Sequence, residues 1–166
     1  GAGKSTMLNS IARVFTITKG KIELNNKDIT ELPEHKRAQE IGRVFQDPLS
    51  GTSPEMTIEE NLSLALSKSG NLSLKWGLTD YKRNILRNRL KKIDLGLEKR
   101  LTTKVKLLSG GQRQALTLLM ATVANPRLLL LDEHTAALDP ATAIKIKNLT
   151  AELVNENNIT TLMITH

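Results

Sequence analysis

The chain opens on Gly1-Ala2-Gly3-Lys4-Ser5-Thr6, and a helical repeat begins directly behind it, with Met7, Leu8, Ile11, Ala12 and Phe15 at helical spacing. Glycines let backbone N–H groups turn toward a polyphosphate without side-chain obstruction. A helix starting at such a loop points its positive end at the same anion. Lys4 can then reach the β- and γ-phosphates, and the Ser5 hydroxyl can reach Mg²⁺. Taken alone, the hexapeptide could be no more than a glycine turn before a helix. A second feature far along the chain narrows the choice: four leucines, Leu128 to Leu131, run straight into Asp132-Glu133. A strand of this pattern buries its leucines and delivers both carboxyl groups to the C-terminal edge of a parallel sheet, where open α/β sheets place their ligands. Asp132 there fits an acid that holds Mg²⁺, and Glu133 fits a base that accepts a proton from an attacking water. The expected fold class is α/β with a mostly parallel sheet.

The full loop pattern, G-x-x-x-x-G-K-[ST], needs another glycine five positions before Gly3. That position lies ahead of residue 1. The chain is therefore expected to begin inside its own phosphate loop, after the strand that feeds it, and by itself to bind nucleotide poorly.

Composition excludes several alternatives. The 166 residues suit one domain with a sizeable core. No cysteine is present, so neither a disulfide framework nor a cysteine-ligated metal is possible. Lys+Arg is 24 against 17 for Asp+Glu, a formal charge of +7 that permits contact with phosphates, nucleic acid or anionic headgroups. The four aromatic residues, Phe15, Phe45, Trp76 and Tyr81, are too few for a base-stacking platform, so a nucleic-acid partner is not expected. No apolar run approaches the roughly 20 residues that span a bilayer.

Between the two motifs, KIELNN at 21–26 alternates apolar and polar residues and reads as a short hairpin turning at Asn25-Asn26. Pro33 can open a brief helix, and Ile41 to Phe45 reads as a strand running into Gln46-Asp47-Pro48. After a turn-rich stretch, Thr57 and Glu60 form a capping box before a helix whose apolar face is Ile58, Leu62, Ala65 and Leu66. A polar, basic stretch reaches about Asp80; a second amphipathic helix then carries Tyr81, Ile85, Leu86, Leu90 and Ile93. Residues 52–108 thus read as a small helical insertion. Ser109 and Gln112 repeat the capping spacing ahead of a helix, about 111–124, that is apolar almost all round and predicted to be buried. Asp139-Pro140 is an N-cap followed by proline at the first helical position. That helix carries Ile144, Leu149 and Leu153, and Ile159 to Ile164 reads as another buried strand before His166.

Gln46 ends a strand, and its neutral amide can ligate Mg²⁺ or orient water without adding charge. His166 ends another, and its imidazole could hydrogen-bond a γ-phosphate oxygen. Ser109-Gly110-Gly111-Gln112 supplies a second glycine-tipped helix start, hence a second anion site in one chain. A single nucleotide has no obvious need of both from one molecule. Two chains facing head to tail, each completing the other's site, would use both.

GAGKST, FQDP at 45–48, LSGGQ at 108–112, LLLLDE at 128–133, ALD at 137–139 and the closing His166 occur in order. They resemble the Walker A, Q-loop, signature, Walker B, D-loop and switch-histidine elements of the ABC ATPase family, and the resemblance covers the whole chain. It implies an α/β P-loop NTPase with a RecA-like core formed by residues 1–51 and 109–166 and an inserted α-helical subdomain at 52–108. It implies ATP with Mg²⁺ on Gly1, Ala2, Gly3, Lys4, Ser5 and Thr6, with Ser5, Gln46 and Asp132 around the metal. Ser109, Gly110, Gly111, Gln112 and Asp139 would act in trans, Glu133 as general base, and His166 on the γ-phosphate. Gln46 would also sense the nucleotide. The implied assembly is a homodimer of ATPase subunits on the cytoplasmic face of the membrane, bound to a transmembrane permease whose coupling helix meets the helical insertion. DEHTAALDP at 132–140, PEMTIEENL at 54–62 and KWGL at 75–78 are similar to bacterial importer ATPases of tryptophan/tyrosine or related amino-acid uptake, which work with a permease and a substrate-binding lipoprotein. His134 and Ala136 stand where many relatives carry proline and serine. Two further readings stay open at this level: a soluble ABC ATPase acting on ribosomes or nucleic acid, and a non-catalytic nucleotide switch. About 60 residues without sustained heptads separate the motifs, which argues against a coiled-coil DNA-repair form. The intact Glu133 and His166 argue against the switch.

Overall fold

The four leucines at 128–131 have an apolar neighbour on both sides, and the architecture follows from burying both. A computed structural model describes residues 3–67 and 79–165. Strand β4 (Leu128–Asp132) lies at the centre of a parallel three-stranded sheet, between β3 (Ile41–Val44) and β5 (Thr160–Ile164). Ile41 to Val44 pair in step with Leu128 to Leu131, and Leu128 to Asp132 with Thr160 to Ile164. Side chains alternate across a strand. Leu130 therefore joins one cluster with Leu8, Ile29, Ile41 and Ile164, while Leu129 and Leu131 join another with Val44, Leu116 and Leu119.

Helix α1 (Lys4–Ala12) covers the first face; α5 (Gly110–Thr122) and α6 (Pro140–Glu156) belong to the second. The expected hairpin forms as β1 (Glu23–Leu24) and β2 (Lys27–Asp28), with Asn25 and Asn26 both at positive φ, the geometry a two-residue hairpin turn needs. The brief helix behind Pro33 is α2 (Glu34–Arg37). Between β3 and α5 the main elements are helical: α3 (Ile58–Ser67) and α4 (Asp80–Lys92), followed by short 3₁₀ turns. Ile58, Leu62, Leu86, Leu90 and Ile93 bury against the α5 side of the sheet, within one continuous apolar cluster.

Several boundaries differ from the sequence expectation. Helix α1 ends at Ala12, because Arg13 turns left-handed (φ 68°) and its guanidinium binds the Thr30 carbonyl and Glu31; Phe15 is left about half exposed. On α4, Tyr81 and Ile85 face outward, and Leu86, Leu90 and Ile93 carry the contact. On α6, Ile144 is exposed and Ile146 is buried, because only Ile146, Leu149 and Leu153 keep the three-to-four spacing of one face. Strand β5 is not buried throughout: Thr160 and Met163 are exposed, and among the described residues it pairs on one edge only.

Candidate functional site

Gly3 sits at φ 76°, a left-handed turn that glycine adopts freely, and it starts α1 without contributing a capping side chain. Gly3, Lys4, Ser5 and Thr6 are all exposed, and the first turn of α1 holds no acidic residue. Among the described residues the first N–H groups of this turn have no partner, and with the helix dipole they face solvent, as an anion site requires. Leu8, fully buried on the sheet, fixes the helix there.

The sheet brings the distant acid to this helix. Ser5 Oγ lies 3.5 Å from Asp132 Oδ1, across 127 residues of sequence. Asp132 ends β4 and is 9% exposed, and among the described residues no ion pair engages it. Arg43 on β3 is the nearby positive charge. Its Nη2 donates to Asn9 Oδ1 at 2.6 Å, and its guanidinium stacks 4.4 Å above the Phe45 ring, so β3 is tied to α1 beside the site. Burial holds the Arg43 guanidinium below its ordinary pKa, while the charges of Asp132 and Glu34 oppose that shift. A nearly buried carboxylate that no ion pair engages among the described residues, beside a hydroxyl, is an oxygen donor pair suited to a hard divalent cation. Gln46 stands exposed just beyond β3, on the same edge of the sheet as Asp132.

Glu133 follows at once, half buried, in a left-handed backbone conformation with φ 43°. Its N–H donates to the Ile164 carbonyl at 3.2 Å, and its carbonyl accepts from Ala136 N at 2.9 Å. His134 turns the other way, into the interior. It is 4% exposed, and burial together with the Lys147 charge lowers its pKa from the ordinary histidine value.

A second helix start carries Ser109 and Gln112. The Gln112 N–H donates to Ser109 Oγ at 3.3 Å, and Gln112 Oε1 accepts from Ser109 N at 3.2 Å, the reciprocal capping box expected from the spacing. Gln112 also accepts from Arg100 Nη1 at 3.2 Å and donates to the Leu95 carbonyl at 3.1 Å. Ser109 uses an oxygen lone pair in its cap, which leaves the hydroxyl hydrogen to donate outward. Asp139 caps α6, accepting from Thr142 N at 3.0 Å; its hydrogen bonds with Thr142 hold its pKa below the ordinary carboxylate range. The two starts abut: a β-carbon at Gly111 would lie 2.3 Å from Thr142 Cγ2.

The structure thus joins Ser5 to Asp132 and sets Glu133 and Gln46 at the same edge. Ser109, Gly110, Gly111, Gln112 and Asp139 gather where the starts of α5 and α6 meet. Gly1, Ala2 and His166 lie outside the described residues, as does the KWGL stretch. Sequence reasoning passed over Arg43 and Thr150 and gave His134 no role in the site; Arg43 meets Asn9 and His134 meets Thr150 on other elements, which leaves no local spacing to read.

The sequence profile of the ABC transporter family matches residues 1–136. All 166 residues align at 54% identity with the tyrosine transport ATP-binding protein of Clostridioides difficile (strain R20291), covering 66% of that protein. The methionine import ATP-binding protein MetN 1 of Bacillus thuringiensis subsp. konkukian is 34% identical over the whole chain, which covers 47% of it. A crystal structure of an ATP-binding cassette of an ABC transporter in its ADP conformation superposes with a TM-score of 0.76 at 30% identity, over 99% of this chain and 66% of that one. The chain belongs to the ABC transporter family, and its fold is the α/β P-loop fold of the family's ATP-binding cassettes. It spans just under two thirds of the tyrosine transport protein and about half of the methionine import protein.

Proposed function

We propose that this chain is the ATP-binding and ATP-hydrolysing part of an ABC import subunit. The observation that carries the reading is the approach of Ser5 Oγ to Asp132 Oδ1 at 3.5 Å, on the edge of the sheet where Glu133 also emerges. Residues Gly1 to Thr6 hold the phosphates of ATP through their N–H groups and through Lys4. Ser5 and Asp132, with Gln46 beside them, are the residues that would hold Mg²⁺, which when bound neutralises charge on the phosphate oxygens. Glu133 accepts a proton from the water that attacks the γ-phosphate, and His166 donates a hydrogen bond to a γ-phosphate oxygen.

Two copies face head to tail in this reading. Ser109, Gly110, Gly111 and Gln112 of one copy close over ATP held by the other, and Asp139 speaks across the same junction. Support comes from a second exposed, glycine-tipped helix start in the same chain and from the outward hydroxyl of Ser109. Closure on ATP and opening after hydrolysis form a ligand-biased two-state cycle. A transmembrane permease receives that motion at the helical segment, residues 52–108, with residues 1–51 and 109–166 as the nucleotide-binding core. A substrate-binding protein takes part indirectly. Among the described residues no helix is long and apolar enough to cross a membrane, and attachment through the permease places the subunit at the cytoplasmic face. The likeness to a tyrosine transport protein supports an amino acid as the cargo.

The test is steady-state hydrolysis by the full-length protein with its permease. Glu133→Gln is expected to lower kcat by about a hundredfold or more while ATP still binds. Ser109→Arg is expected to abolish turnover by blocking the junction. Normal turnover in Glu133→Gln would remove the general base, and normal turnover in Ser109→Arg would remove the head-to-tail arrangement.

A further inference from the structure

A residue with a β-carbon holds a left-handed backbone only where its surroundings over-determine it, and Glu133 is such a residue, at φ 43°. Two of its restraints are backbone bonds, from Glu133 N to the Ile164 carbonyl and from Ala136 N to the Glu133 carbonyl. A further restraint comes from the neighbouring side chain. His134, the next residue, is 4% exposed and packs against α6, with its Nε2 3.2 Å from Thr150 Oγ1. Thr150 donates its own hydroxyl hydrogen to the Ile146 carbonyl at 2.7 Å. Its oxygen is therefore the acceptor, and the imidazole carries a proton on Nε2 and donates it. The same helix begins at Asp139, capped by Thr142 N. The loop from Glu133 to Asp139 is thus fastened to one rigid helix at both ends, by a buried histidine and by an N-cap.

We propose that His134 is a positioning residue: by tying the Glu133 turn to Thr150 of α6, it aims the Glu133 carboxylate at the attacking water. The proposal rests on Glu133 being the general base. Without the tie, the turn at Glu133 relaxes out of the left-handed region and carries the Cα–Cβ bond with it. Lys4 and Ser5 keep their places on α1, so nucleotide binding is retained while proton abstraction loses its geometry.

The experiment compares ATP hydrolysis by full-length variants. His134→Leu keeps the apolar bulk and removes the donor; its kcat is expected to fall about tenfold or more with KM for ATP changed by less than about twofold. His134→Gln, whose amide can donate to Thr150, is expected to recover most of the rate. Thr150→Val is expected to reproduce the His134→Leu loss, and the double variant to be little worse than either, because both remove one bond. Equal losses in His134→Leu and His134→Gln, or wild-type kcat in His134→Leu, would overturn the proposal. Glu133→Gln, run alongside, separates the two failures. If it turns over normally, the base assignment falls and the positioning role with it. If it is inactive while His134→Leu is normal, only the positioning role falls.

Discussion

At the scale of single residues, the site is built from caps that are local and from contacts that are not. Ser109 with Gln112 and Asp139 with Thr142 are bonds across three positions, so their side chains could be placed from spacing alone. Gly111 could not. Its lack of a side chain lets α5 meet Thr142 Cγ2 on α6, a contact invisible to any local pattern. Gly111→Ala is expected to cost about 1–3 kcal/mol by overpacking and to slow hydrolysis. Thr142→Ser, which removes the obstructing methyl but keeps the backbone N–H that caps Asp139, should restore much of both in the double variant. Thermal unfolding and steady-state kinetics on the four proteins of the cycle check this. Asp139 gives a pH test. Its folded pKa is depressed by hydrogen bonds with Thr142. Its contribution to stability is therefore present above the ordinary aspartate pKa of about 3.9 and is lost as pH falls through the lower folded value. Asp139→Asn keeps a capping acceptor that does not titrate. It should lose less stability than wild type on acidification across that window, measured as the change in unfolding midpoint between neutral and acid pH.

At the scale of elements, the placement of α1 decides whether Ser5 meets Asp132, and two arginines hold it. Arg43 reaches Asn9 from β3. Arg37, 2% exposed, donates to the carbonyls of Ser10, Ile11, Thr30 and Leu32, so one guanidinium satisfies the C-terminal end of α1 and ties it to the loop before α2. A cation at a helix C-terminus also complements the dipole. Arg37→Ala leaves those carbonyls without their donor and is expected to cost about 3 kcal/mol. Arg37→Lys should recover less than half, since an ammonium cannot span the fork of the guanidinium. Urea midpoints at unchanged m-value are the measurement. Elements themselves were legible where their period was strong or their ends were capped, as in α3, α5, β4 and the hairpin. Helix α1 is shorter than its apolar spacing predicts, because Met7 to Phe15 keep helical spacing while Arg13 is turned by Thr30 and Glu31 from another segment. Helix α6 buries Ile146 and not Ile144, because Ile144 and Leu149 are five positions apart and do not share a face.

At the scale of the whole molecule, the helical segment and the nucleotide-side sheet share one apolar cluster. It runs from Ile58, Leu62 and Leu90 through Leu116 and Leu119 to Leu129 and Leu131. Leu116→Ala, at the centre of that cluster and fully buried, is expected to cost about 3 kcal/mol and to raise amide exchange in α3 and β4 together. Faster exchange in α3 with β4 unaffected would show two separate cores. By itself, the sequence determined the class of fold, the order of the motifs, the two capped helix starts and the chemical types gathered for phosphate and metal. All of these depend on residue identity and on neighbours a few positions away. Only the tertiary structure decided that Ser5 meets Asp132, that His134 turns inward to Thr150, that Arg37 closes α1, and that the starts of α5 and α6 form one surface. Those contacts join segments far apart in the chain, and their existence depends on how β4 is sandwiched between α1 on one face and α5 on the other, a packing outcome that no local period encodes.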